Sequence, residues 1–139
     1  MRRLLTALAA VMLALAACSS PMGGSNADFN VTVETKTTHP YTGSGVSIGY
    51  TINGVQGKEL TLTRGHTYTF GIDTPGHPFY LTTDPVGGAG APGEITAGVM
   101  GSQTQSGTLT FTPDASTPSL IYYQCAVHQY MGWKIDITG

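Results

Sequence analysis

Charged side chains are scarce in this 139-residue sequence, where Asp, Glu, Lys and Arg together make up 10% of the residues. Basic residues are the scarcer kind, with six Lys and Arg against eight Asp and Glu. A surface so poor in basic charge cannot neutralise many phosphates, and the composition therefore disfavours a nucleic-acid partner. The chain is also short, with room for one domain of ordinary size plus targeting and linker sequence.

Helical periodicity is missing as well, because no stretch beyond the N-terminal segment places apolar residues at a 3.6-residue spacing. The sequence is instead rich in turn residues, with 19 Gly and 8 Pro. Several short runs alternate apolar with polar residues, as Leu60 and Leu62 do with the threonines that follow them. These runs lie at 29–36, 46–52, 58–63, 66–72, 78–83, 107–112, 119–125 and 132–138. Seven or eight short strands separated by turns predict an all-β fold, a Greek-key β-sandwich.

One segment departs from this strand pattern. Residues 84–106 are rich in Gly and Pro and contain no alternating run. They predict a long loop, of the kind that is usually functional or mobile.

The N-terminus has the features of a secretory signal peptide over residues 1–17, with a positive start, a short apolar stretch and small residues before Cys18. We therefore expect an exported protein. The four residues Leu-Ala-Ala-Cys that end at Cys18 resemble the bacterial lipobox, which predicts a lipidated Cys18 anchored in a bilayer. The alternative is ordinary signal-peptide cleavage with Cys18 incidental. Residues 18–28 then form a tether and residues 29–139 the folded domain.

The predicted anchor also predicts a location. In the bacterial sorting rule, Asp after the lipidated Cys retains a lipoprotein in the inner membrane. Here Ser follows Cys18, which favours the outer membrane, facing the periplasm, if the source has two membranes. Cysteine itself is scarce, at two residues. If Cys18 carries lipid, Cys125 is the one free thiol in an oxidising compartment, where an unpaired Cys is a candidate for reaction or metal ligation. A disulfide between Cys18 and Cys125 is the alternative.

Chemistry-bearing residues are concentrated near the C-terminus, where Cys125, His128 and Met131 form a C-x-x-H-x-x-M pattern between two predicted strands. Thiolate, imidazole and thioether are a mixture of soft and borderline ligands that suits copper. A trigonal copper site with a weak axial Met needs a second imidazole. His77, which directly precedes a predicted strand, is the candidate.

Three further residues carry possible metal-donor atoms but have no other predicted ligand close to them in the sequence. We expect His39 and His66 to lie at the solvent or at a strand edge. Met100, in the Gly-rich segment, is a reserve thioether.

At this point the chain resembles the cupredoxins, the small blue copper proteins, over residues 58–138. The spacing of its ligand loop is most similar to that of the amicyanins. The resemblance implies a Greek-key β-sandwich of the cupredoxin type and one mononuclear type 1 copper ion. By the same resemblance, His77, Cys125 and His128 are the equatorial ligands and Met131 is the long axial ligand.

Two positions near these residues differ from familiar cupredoxin patterns. Many cupredoxins have a backbone N–H just after the upstream His, whereas Pro78 has none to give. Val127 stands where Pro is common, and we expect its N–H to point at the sulfur of Cys125. Hydrogen bonds to the sulfur tune such a site.

The resemblance implies a type 1 copper electron-transfer protein of the bacterial cell envelope that works with redox partner proteins. Copper delivery or buffering by a lipoprotein is one alternative, and a metal-free structural or interaction domain is another. We do not expect an enzyme, because no third group is evident to orient Cys125 as nucleophile and His128 as base. Zinc is disfavoured because Met is not among the usual zinc ligands.

Overall fold

The structure, a computed structural model, describes residues 26–139. This part of the chain folds into strands and contains no helix. The ten strands are β1 (Phe29–Thr35), β2 (Ile48–Ile52), β3 (Val55–Gln56), β4 (Leu60–Thr63), β5 (Tyr68–Asp73), β6 (Phe79–Thr82), β7 (Val99–Met100), β8 (Ser106–Phe111), β9 (Leu120–Cys125) and β10 (Trp133–Thr138). The all-β prediction is therefore confirmed, and each predicted run overlaps one of the eight longer strands.

The strands form two mixed sheets. A six-stranded sheet has the order β3-β2-β1-β5-β8-β7, and a four-stranded sheet has the order β4-β10-β9-β6. β1 runs parallel to β5, β10 runs parallel to β4, and the other pairs are antiparallel. The prediction missed β3 and β7 because two-residue strands are too short to show alternation. Greek-key connectivity stays a prediction.

One apolar core is shared by both sheets, an arrangement consistent with a β-sandwich. Leu60 and Leu62 of β4 are buried, and Thr61 between them is exposed, because successive side chains of a strand point to opposite faces. The core also includes Phe70 and Ile72 of β5 from the other sheet. Alternation in the sequence thus identified the core face of these strands.

The outer face of β6 is buried as well, which alternation does not predict. All four residues of β6 are buried, and Tyr80 packs in a small second cluster with Ala91 and Ala126. Ala91 belongs to the Gly-rich segment. This segment therefore covers the outside of the four-stranded sheet beside β6.

The predicted signal peptide and Cys18 lie outside the described residues, so signal cleavage, lipidation and an envelope location stay predictions. In residues 26–139, no helix is long and apolar enough to cross a membrane.

Candidate metal centre

Cys125 ends β9 and lies fully buried in the shared core. It pairs with Phe79, the first residue of β6, and the N–H of Ala126 donates to the carbonyl oxygen of Pro78 at 2.9 Å. Because His77 directly precedes Pro78, this register carries His77 to the end of β9. Strand pairing thus brings together two residues that are 48 positions apart.

His77 is held by a turn between β5 and β6. Its N–H donates to the carbonyl oxygen of Thr74 at 2.9 Å, and the Thr74 hydroxyl donates back to the His77 carbonyl at 2.8 Å. The hydroxyl of Tyr50 donates to the same carbonyl at 2.9 Å. Burial, with a smaller effect of the nearby Cys125, raises the pKa of Tyr50 well above its ordinary value, so this hydroxyl keeps its proton.

His128 lies in the loop that follows β9, and the backbone of that loop points at the sulfur of Cys125. The N–H of Val127 lies 3.4 Å from Cys125 Sγ and that of His128 lies 3.5 Å away. The predicted direction of the Val127 N–H is therefore confirmed. Hydrogen bonds to a ligating sulfur tune the metal site that uses it.

The three side chains converge on a small volume. Cys125 Sγ lies 4.0 Å from Nδ1 of His77 and 3.9 Å from Nδ1 of His128. One ligand atom from each residue lies within 4.8 Å of the others. Typical bonds of about 2.3 Å to sulfur and about 2.0 Å to nitrogen, at an angle of about 120°, separate sulfur from nitrogen by about 3.7 Å. The described residues thus contain a His–Cys–His cluster whose spacing fits one metal ion.

The protonation of His77 favours the same chemistry. Burial lowers the pKa of His77, and the neighbouring His128 lowers it further. Since only a neutral imidazole offers a lone pair to a metal, a lowered pKa leaves His77 ready to bind over a wider pH range.

Met131 closes the predicted ligand set at the far end of this loop. Its side chain is fully buried in the same core cluster as Cys125. Its carbonyl oxygen accepts two hydrogen bonds, from the N–H of Tyr50 at 2.7 Å and from His39 Nε2 at 3.0 Å. The backbone of Met131 is therefore firmly held, while its role as a fourth ligand stays a prediction.

His39 is 3% exposed, so it does not lie at the solvent, which was one of the two places predicted for it. Its Nδ1 accepts the N–H of Tyr41 at 3.0 Å, which leaves Nε2 as the atom that carries the proton toward Met131. Burial lowers the pKa of His39 to about 4. Sequence reasoning missed this residue because nothing in its neighbourhood in the chain indicates its partner 92 positions away.

His66 is exposed, as predicted. Met100 is 74% exposed and pairs with Thr110 in the second half of β8. The opposite end of β8 begins beside Gln105, whose side chain accepts the N–H of Gly76 in the His77 turn. Met100 therefore lies near the end of β8 that is farther from the His77 turn, and it is not part of the cluster.

The Gly-rich segment contacts the ligand loop directly. The N–H of Gly88 donates to the carbonyl of Cys125 at 2.7 Å, and the N–H of Tyr130 donates to the carbonyl of Val86 at 2.8 Å. Gln124 joins both segments, because its amide nitrogen donates to Pro85 at 2.7 Å and its amide oxygen accepts from Gly132 at 2.9 Å. The segment predicted as a long loop, residues 84–106, thus packs against the loop that carries His128 and is hydrogen-bonded to it.

Gly132 is required where the ligand loop returns to the sheet. A Cβ at this position would collide with the carbonyl oxygen of Tyr123. Only Gly allows the chain to pass this close to β9, so its place one residue after Met131 fixes the end of the loop.

The fold and this cluster define an all-β protein with a buried thiol and two imidazoles gathered where β6 begins and β9 ends. The chain belongs to the At5g54830-like domain family, whose model matches residues 22–139. The chain is similar to Protein Skeletor, isoforms B/C, of Drosophila melanogaster. The two are 29% identical over an alignment of 151 residues, which covers 67% of this chain. The chain is also similar to the Cytochrome b561, DM13 and DOMON domain-containing protein At5g54830 of Arabidopsis thaliana. These two are 31% identical over an alignment of 99 residues, which covers 63% of this chain.

These relatives are much longer than the matched region, which covers 19% of the Skeletor protein and 10% of the Arabidopsis protein. No solved structure matches the chain.

The family match corrects two predictions, the family and the function that was inferred from it. The resemblance to the cupredoxins, and to the amicyanins in particular, is wrong, because the chain belongs to the At5g54830-like domain family. The assignment as a type 1 copper electron-transfer protein falls with it. The relatives' names also give no support to the predicted lipoprotein or to a periplasmic location. A short ligand pattern such as C-x-x-H-x-x-M reports the chemistry of a site and not the ancestry of the fold that carries it.

Proposed function

We propose that this chain is a metal-binding domain that holds one copper ion through His77, Cys125 and His128, with Met131 as the fourth ligand. The observation that carries the proposal is the convergence of the three donor atoms, each within 4.8 Å of the others. Cys125 ends β9, His128 lies in the loop that follows it, and His77 comes from a separate turn. The group joins a fully buried thiol to two half-buried imidazoles, and these donor types together suit a metal ion.

Copper is favoured over other ions by the donor types. Thiolate and thioether select soft ions such as Cu(I), and imidazole suits copper and zinc alike. A thioether is not among the usual zinc ligands, so Met131 distinguishes the two. The two N–H groups directed at Cys125 Sγ supply hydrogen bonds of the kind that tune a metal site with a sulfur ligand.

The proposal concerns binding and involves no catalytic step. We place this binding outside the cytoplasm, on the basis of the secretory pattern in residues 1–17. A fusion of residues 1–28 to a reporter enzyme that is active only after export tests this location. An inactive reporter would contradict it.

Competition against a chromophoric Cu(I) chelator under reducing conditions tests the binding proposal with the full chain. We expect one Cu(I) per chain, and a loss of affinity of more than about tenfold in each of Cys125→Ser, His77→Ala and His128→Ala, since even groups that only support ligands contribute about that much. His66→Ala is the matched control, because His66 is exposed and outside the cluster.

Two results would overturn the proposal. Copper binding that survives Cys125→Ser unchanged would show that the ion sits elsewhere. Tight binding of Zn(II) with no measurable binding of Cu(I) would leave a metal site but contradict the choice of copper.

A further inference from the structure

Tyr50 lies in β2 of the six-stranded sheet, whereas β6 and β9, which position His77 and Cys125, belong to the other sheet. Its side chain is fully buried. It therefore reaches the candidate metal centre across the core and from outside the segments that supply the ligands.

Tyr50 contacts the backbone of two predicted ligands. Its hydroxyl donates to the carbonyl oxygen of His77 at 2.9 Å, and its N–H donates to the carbonyl oxygen of Met131 at 2.7 Å. These two ligands come from segments more than fifty residues apart in the chain. Tyr50 thus fixes the backbone of His77 and the backbone of Met131 at the same time.

The ring of Tyr50 also supports the third predicted ligand. It meets the ring of Phe79 edge to face, with centroids 5.1 Å apart and an angle of 71° between the planes. Phe79 is the strand partner of Cys125. Aromatic pairs in this geometry are favourable beyond the area they bury, so the orientation of Phe79 beside Cys125 depends in part on Tyr50.

We infer that Tyr50 is a positioning residue of the metal centre, which sets the spacing between His77 and Met131 from the opposite sheet. This role rests on the proposed function. The Tyr50 hydroxyl does not hold the turn alone, because Thr74 also donates to the His77 carbonyl. Removing the hydroxyl should therefore leave the turn folded but allow His77 to move relative to the other ligands.

Tyr50→Phe tests this role because it removes only the hydroxyl. Tyr123→Phe is the matched control. Tyr123 is equally buried in the same core, and its hydroxyl likewise donates to a backbone carbonyl, that of Lys58, at 2.8 Å. Both variants lose one buried hydrogen bond from a tyrosine to the main chain, and only one of those bonds ends on a ligand residue.

Two measurements separate positioning from a merely structural effect. Cu(I) affinity is measured by chelator competition, and Co(II) serves as a spectroscopic probe whose visible bands depend on ligand geometry. We expect Tyr50→Phe to lose about tenfold in Cu(I) affinity, in the range seen when a group that orients a metal ligand is removed. We also expect its Co(II) spectrum to change, while Tyr123→Phe matches the wild type in both.

Three outcomes would overturn the inference. Wild-type affinity and spectrum in Tyr50→Phe would show that its hydroxyl does not position His77. Equal losses in both variants would show a general effect of core stability. A wild-type chain that binds neither ion would overturn the proposed function and the role of Tyr50 together, whereas the first two outcomes leave the proposed function intact.

Discussion

Phe79 lies directly opposite Cys125 in the antiparallel pairing of β6 with β9. Paired residues project to the same face of a sheet, and both of these side chains are fully buried in the shared core. A shift of one residue in this register would turn the thiol toward the opposite face. The meeting of His77 with Cys125 therefore depends on strand register, and the register depends on which face of each strand is apolar.

Met131→Leu tests the fourth ligand. Leu and Met have similar volumes, so we expect the free energy of unfolding to change by less than about 1.5 kcal/mol. Cu(I) affinity should fall by roughly tenfold, about 1.4 kcal/mol, because a soft thioether is lost. Zn(II) affinity should not change, since a thioether is not among its usual ligands. Titration of both ions by chelator competition measures these affinities.

The control for this experiment is Met100→Leu, because Met100 is 74% exposed and lies away from the cluster. It should alter neither affinity. Equal Cu(I) affinity in Met131→Leu and the wild type would remove Met131 from the ligand set and leave a three-ligand site.

Leu109→Ala tests the core. Leu109 is fully buried in β8, and truncating a buried Leu costs about 2–5 kcal/mol through lost burial and the cavity that remains. Leu120→Ala removes the same atoms from a residue that is 44% exposed and should cost less than about 1 kcal/mol. Urea denaturation of the two variants gives the difference, and similar midpoints would contradict the assignment of Leu109 to the core.

Stability should fall in acid because of His39. Its pKa is about 4 in the folded protein, against an ordinary value of 6.5, so the unfolded chain binds the proton more tightly. The contribution of neutral His39 to the free energy of unfolding is complete above about pH 6.5, and it is lost as the pH falls from about 6.5 to about 4. We expect a loss of about 1–3 kcal/mol over this window. The lowered pKa of His77 acts in the same direction.

Denaturation of the metal-free protein across this pH range measures the effect. His39→Gln has no titrating group and keeps an N–H donor for the Met131 carbonyl, so its stability should depend less on pH. His66→Gln is the control, because His66 is exposed, and should keep the wild-type slope. A slope in His39→Gln as steep as in the wild type would assign the acid sensitivity to other groups.

Gly132→Ala tests the close passage of the ligand loop past β9. The new methyl group would collide with the Tyr123 carbonyl, and the backbone must shift to relieve the contact. We expect a loss of about 1–3 kcal/mol or more, as for other overpacked positions. Thermal unfolding that matches the wild type would show that the loop has room to adjust.

The sequence by itself determined the all-β class and the core faces of the regular strands, because alternation along a strand is a local property. Leu60 and Leu62 could be placed in the core for this reason. It also determined which residues carry donor atoms suited to a metal, since side-chain chemistry does not depend on the fold. It did not determine the family, because Cys125, His128 and Met131 form a pattern that unrelated chains can share.

Only the tertiary structure decided the rest. The parallel pairing of β1 with β5 joins distant segments, and the Gly-rich segment lies against the ligand loop through bonds such as that from Gly88 to Cys125. His39 and Tyr50 reach Met131 from far along the chain. These contacts join residues that no short window of sequence contains, and they form only when distant parts of the chain come together in the fold. Local patterns therefore predict the strands and the donor atoms, whereas packing decides which donors meet and what holds them.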